Sequence, residues 1–420
     1  MLTRRQLLAL LPAGLLLPSG LARAAGTPEQ RFLFVYVRGG WDVLSLFAPK
    51  FDAPLIDMEE AAVAAEINGI SFVDHEQRPS VREFMELWGD RACVINGIEV
   101  RSITHERCRR ILFTGGSGEA ADGWPVMLAA NTLTDYRLPH LVLSGPAFTA
   151  TNASKVVRAG QSGQLGSLLD GTALDLSDQI VQLPSELSRD AQRSFLESRL
   201  GAFAASSPPG QHQRFASLYE EGIANARALS GESVRLEPTW DGCNRDLASD
   251  MMVAFDAFEA GLARCAITET LGWCETGWDT HTNNAQQGIH FEQLFAYLNE
   301  AMADLSTRQD TDGAPLSERV NIVLLSEMGR HPQFNASSGR DHWTWTSAML
   351  VGGNTRGGQV IGGFDDSLGG MPLDTATGEL DAQGTTLQPG HLGATLLAMA
   401  DLDPGDYLPR GEQPLLGALE

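Results

Sequence analysis

The sequence predicts an α/β fold, a mostly parallel central sheet with helices on both faces. Two patterns carry that expectation. Short β-rich runs recur along the 420 residues, several of them nearly continuous apolar stretches, as strands buried on both faces must be. Longer stretches of helical periodicity lie between them, and such alternation builds a parallel sheet covered by helices.

In chain order, strands are predicted over Phe32–Val37, Ala92–Asn96, His140–Ser144, Cys265–Leu271, Asn321–Ser326 and Ala348–Val351. Helices are predicted over Ser80–Leu87, Glu106–Phe113, Leu247–Ala263, Gln286–Leu305 and His391–Met399. One stretch breaks the alternation. Residues from about 184 to 245 are polar and helix-patterned around Ser206-Ser207-Pro208-Pro209-Gly210, a helical insertion that is either a lid or a decorating excursion. The glycine turns at Gly39-Gly40, Gly115-Gly116 and Gly352-Gly353 lack the Lys-Ser/Thr of a phosphate loop, and none opens a helix as a dinucleotide fingerprint does.

The start of the chain reads as an export signal. Arg4-Arg5 precedes an apolar run from Leu7 to about Leu21, and Ala22-Arg23-Ala24 supplies a small-x-small cleavage pattern. Roughly 15 apolar residues, broken by Pro12, Gly14, Pro18 and Gly20, are too few for a bilayer span, which needs about 20. Residues 1–24 are therefore expected to be a twin-arginine signal recognised by the Tat export machinery, with residues 25–420 forming one periplasmic or extracellular domain. No later segment is apolar enough to anchor the mature chain in a membrane.

Lys+Arg 30 against Asp+Glu 53 gives a net charge of −23, which argues against nucleic acid and anionic lipid as partners and tolerates divalent cations. Five cysteines without a C-x-x-C spacing exclude a disulfide framework while leaving room for one bridge. With 43% apolar residues the chain can build a core without such staples.

Ligands of open α/β sheets bind beyond the carboxyl ends of the strands, so side chains just after each strand are the candidates. After the first strand, Arg38-Gly39-Gly40-Trp41-Asp42 delivers Asp42 as a metal ligand or a turn-stabilising carboxylate. After the Cys265–Leu271 strand comes Gly277-Trp278-Asp279-Thr280-His281, where Asp279 and His281, two apart in extended chain, can grip one ion. Glu327 and Arg330 follow Asn321–Ser326 as ligand and anion holder, or as a plain salt bridge. Asp341 and His342 stand in a polar loop as ligand and supporting partner in either order. Ser102-Ile103-Thr104-His105 opens a helix, where Thr104 is either a nucleophile or the N-cap.

Together with Asp122-Gly123-Trp124 and the closing Leu392–Leu397 helix, these segments resemble the exported bacterial family called domain of unknown function 1501, over nearly the whole mature chain. That family resembles the alkaline phosphatase and sulfatase superfamily. The resemblance implies that fold and a metal-dependent hydrolase of an anionic ester, with a small-molecule or polymer substrate. It further implies one or two divalent ions (zinc, manganese or calcium) held by Asp42, Asp279, His281, Glu327, Asp341 and His342, with Thr104, His105 and Arg330 at the reacting group. Met328 stands where the superfamily has a second histidine, His105 falls where its nucleophile falls, and the sulfatase Cys-x-Pro-x-Arg sequence is absent. Those departures keep a second reading open, a non-catalytic scaffold that binds a polymer or assists surface assembly.

Overall fold

A computed structural model of the chain describes residues 29–420 apart from Glu119, Pro409 and most of 160–238. The expected leader over residues 1–24 and most of the expected insertion at 184–245 lie outside the described residues.

Eight strands form the main sheet: β1 (Arg31–Val37), β2 (Ala92–Glu99), β3 (His140–Val142), β4 (Val156–Arg158), β5 (Cys265–Thr270), β6 (Val320–Ser326), β7 (Trp345–Gly352) and β8 (Gln359–Ile361). Their order is β8-β2-β7-β6-β1-β5-β3-β4. β7 alone runs antiparallel to its neighbours β6 and β2; the other pairings are parallel. Among the described residues the α-helices are α1 (Pro79–Trp88), α2 (His105–Thr114), α3 (Trp124–Ala130), α4 (Leu247–Glu259), α5 (Gln286–Leu305) and α6 (Pro389–Met399).

Alternation along β1 explains why its run is continuously apolar. Leu33, Val35 and Val37 face one core with Val81 and Phe84 of α1, Phe255 of α4 and Phe291 of α5. Phe32, Phe34 and Tyr36 face the other with Phe113 of α2, Trp124 of α3 and Leu396 of α6. A strand with period two needs apolar side chains at every position only when both faces are covered. Each such side chain contributes about 1.5–3 kcal/mol by leaving water.

Most expected elements stand within a few residues of their predicted bounds. α4 stops at Glu259 rather than Ala263 because Gly261, at φ +66°, turns into the left-handed region that ends helices. The short α3, β4 and β8, and a hairpin of Val63–Ile67 with Ile70–Asp74, carried too little periodicity to be foreseen. Cys243 and Cys274 form the one bridge, and Cys93, Cys108 and Cys265 are buried thiols. Among the described residues no helix is long and apolar enough to cross a membrane.

One buried group makes stability depend on acid. His140, at the start of β3, is fully buried, and burial pulls its pKa down to about 3 against a weaker upward pull from the Cys265 backbone. The unfolded chain binds a proton there near pH 6.5, so stability is lost as pH falls from that value toward 3, by about 2 kcal/mol at pH 5. Denaturant unfolding at pH 7 and pH 5 should show a loss in His140→Val that is smaller than the native chain's by about 2 kcal/mol.

Candidate metal centre

Parallel strands β5, β1 and β6 are neighbours, so the loops leaving their carboxyl ends meet at one edge of the sheet. The start of α2, which follows β2, and the residues preceding the reversed β7 reach the same edge. Close packing there requires glycine. Gly39 sits at φ +126°, and a Cβ on it would lie 2.9 Å from the backbone nitrogen of Asp279. Gly339 has no room either, its would-be Cβ falling 2.0 Å from the carbonyl oxygen of His281.

The cluster itself is built from His105, Asp279 and His342, whose ligand atoms all lie within 4.8 Å of one another. His342 Nε2 is 3.0 Å from Asp279 Oδ1, and His105 Nε2 is 3.3 Å from Asp279 Oδ2. The second nitrogen of each ring is committed elsewhere. His105 Nδ1 donates to Glu327 Oε1 at 2.9 Å, and His342 Nδ1 donates to the carbonyl of Ile103 at 2.7 Å. Carboxylates and carbonyls only accept, so both rings aim Nε2 at Asp279, as metal-binding imidazoles do when an outer partner fixes their tautomer. His281 closes the outer side. Its Nε2 lies 2.9 Å from His342 Nε2 and 3.3 Å from Asp279 Oδ1, while Nδ1 meets Asp341 Oδ1 at 3.0 Å.

Three features of this donor set fit a divalent cation. His105 Nε2 is buried and lacks an aligned hydrogen-bond partner. With Nδ1 of both His281 and His342 donating outward, their facing Nε2 atoms need a proton or a metal between them. The two His–Asp spacings of the trio, 3.0 and 3.3 Å, approach the edge of about 3.3 Å expected for tetrahedral coordination at 2.0–2.1 Å.

The electrostatics point the same way. Asp279 and then Glu327 push the His105 pKa up to about 9 against the opposing pull of burial. Burial works to raise the Asp279 pKa, but His105, His342 and Arg330 outweigh it and hold the carboxyl well below the usual carboxylate range. The site is a place for positive charge.

The other residues named from the sequence take different positions. Glu327, buried, accepts from the Gly39 amide at 2.9 Å and steadies His105 without entering the trio. Asp42 stands apart: Leu44 N, Ser45 Oγ and Asn284 Nδ2 donate to it, and Arg340 Nε lies 3.0 Å away. Arg330 is fully buried, donating to Asp279 Oδ1 at 2.7 Å and to the carbonyls of Gly39, Gly40 and Trp278. Asp341 is exposed beside His281. Thr104 is the exposed N-cap residue of α2, and its side chain makes no capping bond. Met328 turns away from the cluster and packs on Val100 and Cys108.

Two polar residues of α5 position these loops: Gln287, which no motif marks, and His290, which the sequence offers only as an ordinary surface or loop histidine and the structure buries. Gln287 donates to Trp278 O and accepts from Asp42 N. His290 accepts from Trp273 N and meets Gly277 O at 3.0 Å, holding the loop that carries Asp279. Burial lowers the His290 pKa to about 4, so the ring stays neutral and can do both. Their signal was faint: two polar residues three apart on a largely apolar helix face.

A model of the family described as protein of unknown function (DUF1501) matches residues 29–408, and the chain belongs to that family. No curated protein matches it in sequence. Among solved structures, Ps i-CgsB in complex with k-i-k-neocarrahexaose is 9% identical at a TM-score of 0.42, over 93% of this chain and 75% of that one. The C-terminal periplasmic domain of EcEptC from Escherichia coli is 9% identical at 0.38, over 93% and 88%. A TAB5 alkaline phosphatase mutant with Mg bound is 8% identical at 0.38, over 90% and 100%. Likenesses this loose say nothing about the chemistry of the edge.

Proposed function

We propose that this member of the family is an exported, metal-dependent hydrolase of an anionic phosphate or sulfate ester. One observation carries the reading: two imidazoles with fixed tautomers converge on one carboxylate that is held by a buried arginine. His105, Asp279 and His342 would hold a divalent ion, and zinc suits two nitrogens and an oxygen. Such an ion would supply Lewis-acid polarisation of the ester.

The chain's own groups account for the remainder. Glu327 and the Ile103 carbonyl orient the two ligand rings. Arg330 acts through Asp279 as a positioning residue rather than as the substrate's anion holder, since it has no exposed surface. Asp341 fixes Nδ1–H of half-exposed His281, leaving Nε2 toward the cluster as acceptor for a proton from the attacking water. Thr104, exposed one residue before His105, is the alternative nucleophile. Export rests on the Arg4-Arg5 leader and agrees with the Cys243–Cys274 bridge, since disulfides persist in oxidising compartments.

A metal-binding scaffold without catalysis is favoured by one feature. Among the described residues, no Ser, Thr or Cys side chain is hydrogen-bonded to His105, Asp279, His281 or His342. The test is hydrolysis of p-nitrophenyl phosphate and p-nitrophenyl sulfate by the zinc- and manganese-loaded protein. Turnover that drops about 10²–10⁴-fold in His281→Asn at unchanged metal content supports the hydrolase. A metal-loaded native protein that cleaves neither ester supports the scaffold.

A further inference from the structure

A second cationic feature lies beside α2 and is not part of the metal cluster. Arg101 and Arg107, from the turn into α2 and from α2 itself, and Arg410, from near the end of the chain, line a groove of about 130 Å3 with Gly116 and Ser117. Arg107 is two residues beyond His105, about 200° round the helix, so the groove opens on a different side of α2 from the cluster.

This grouping runs against the chain's overall balance of 30 basic to 53 acidic residues. Glu99 is the one carboxylate of the lining among the described residues, and it accepts from Arg101 Nε at 2.9 Å. Arg107 and Arg410 are exposed and have neither ion pair nor hydrogen bond among the described residues. Arg101 is held at φ +60°, in the left-handed region that a non-glycine residue enters at a cost. Three guanidinium groups with one carboxylate among them repel one another, and a bound anion relieves that repulsion. A guanidinium fork matches the oxygens of a tetrahedral oxyanion.

We infer that this groove binds a phosphate or sulfate group at a site separate from the metal cluster. The inference stands on the arginines alone. Coupled to the hydrolase reading, it assigns the substrate to a polyanionic chain, one charged group at the metal cluster and a second in the groove.

Calorimetric titration of the metal-loaded protein with inorganic phosphate, inorganic sulfate and dextran sulfate tests it. Binding that persists in Asp279→Ala, and so lies outside the metal cluster, should weaken at least tenfold when Arg107→Gln/Arg410→Gln is added and weaken further as salt rises. Both arginines are exposed, so Arg107→Gln/Arg410→Gln alone should fold and keep its metal content. Binding of the inorganic ions supports a site for the free ion; binding of dextran sulfate alone supports a polyanionic ligand. Asp279→Ala should leave groove binding intact, so a failed hydrolase and a failed groove give different results. No binding by Asp279→Ala, or equal binding once the two arginines are replaced in it, overturns the inference.

Discussion

Asp279→Ala is expected to lower zinc affinity by on the order of a thousandfold or more, read by competition with a chromogenic chelator. Outer partners of metal-binding histidines typically change affinity by about 10–100-fold. Asp279 should exceed that range, because its carboxylate is the group on which His105, His342, His281 and Arg330 all converge. Its removal takes a ligand and also the negative charge that offsets those groups. Asp279→Asn separates the two effects by keeping the shape while losing the charge, and should fall between native and alanine. Affinity within threefold of native in both variants would place the metal elsewhere.

Arg330→Met should destabilise the fold by about 2–4 kcal/mol, because buried carbonyls lose their donor at about 1–3 kcal/mol each while the half-exposed Asp279 carboxylate is left to water. The guanidinium serves the carbonyls of Gly39, Gly40 and Trp278 together with Asp279, tying the loops after β1 and β5 to the residues after β6. Methionine fills part of the volume and satisfies none of those acceptors. Denaturant unfolding reads the stability. If Arg330 instead served a substrate's anion, the variant would unfold like the native chain and lose only affinity for the ester.

Much of this edge was legible because strand ends are legible. Apolar runs locate β1, β5 and β6, and the polar residues just beyond them must lie at the sheet's carboxyl edge. Asp279, His281, Glu327 and His342 come to one neighbourhood for that reason. What spacing could not supply was side-chain direction. Asp42 and Asp279 both follow glycine turns, yet Asp42 caps the next turn through Leu44 while Asp279 meets the imidazoles. His105 became intelligible only through Glu327, 222 residues away, a pairing that no local pattern encodes. Arg330 and Glu327 looked like partners three residues apart, but each turned to a different loop. The roles of Gln287 and His290 depend on backbone atoms of other segments, so their identity alone could not announce them.

The most direct test of the central claim is a crystal structure of the purified protein soaked with zinc, with anomalous difference maps collected at the zinc edge. The expected result is one strong peak about 2.0–2.3 Å from His105 Nε2, His342 Nε2 and an Asp279 oxygen. A fully soaked crystal with no peak at those three side chains, or with the peak at Asp42 instead, would contradict it.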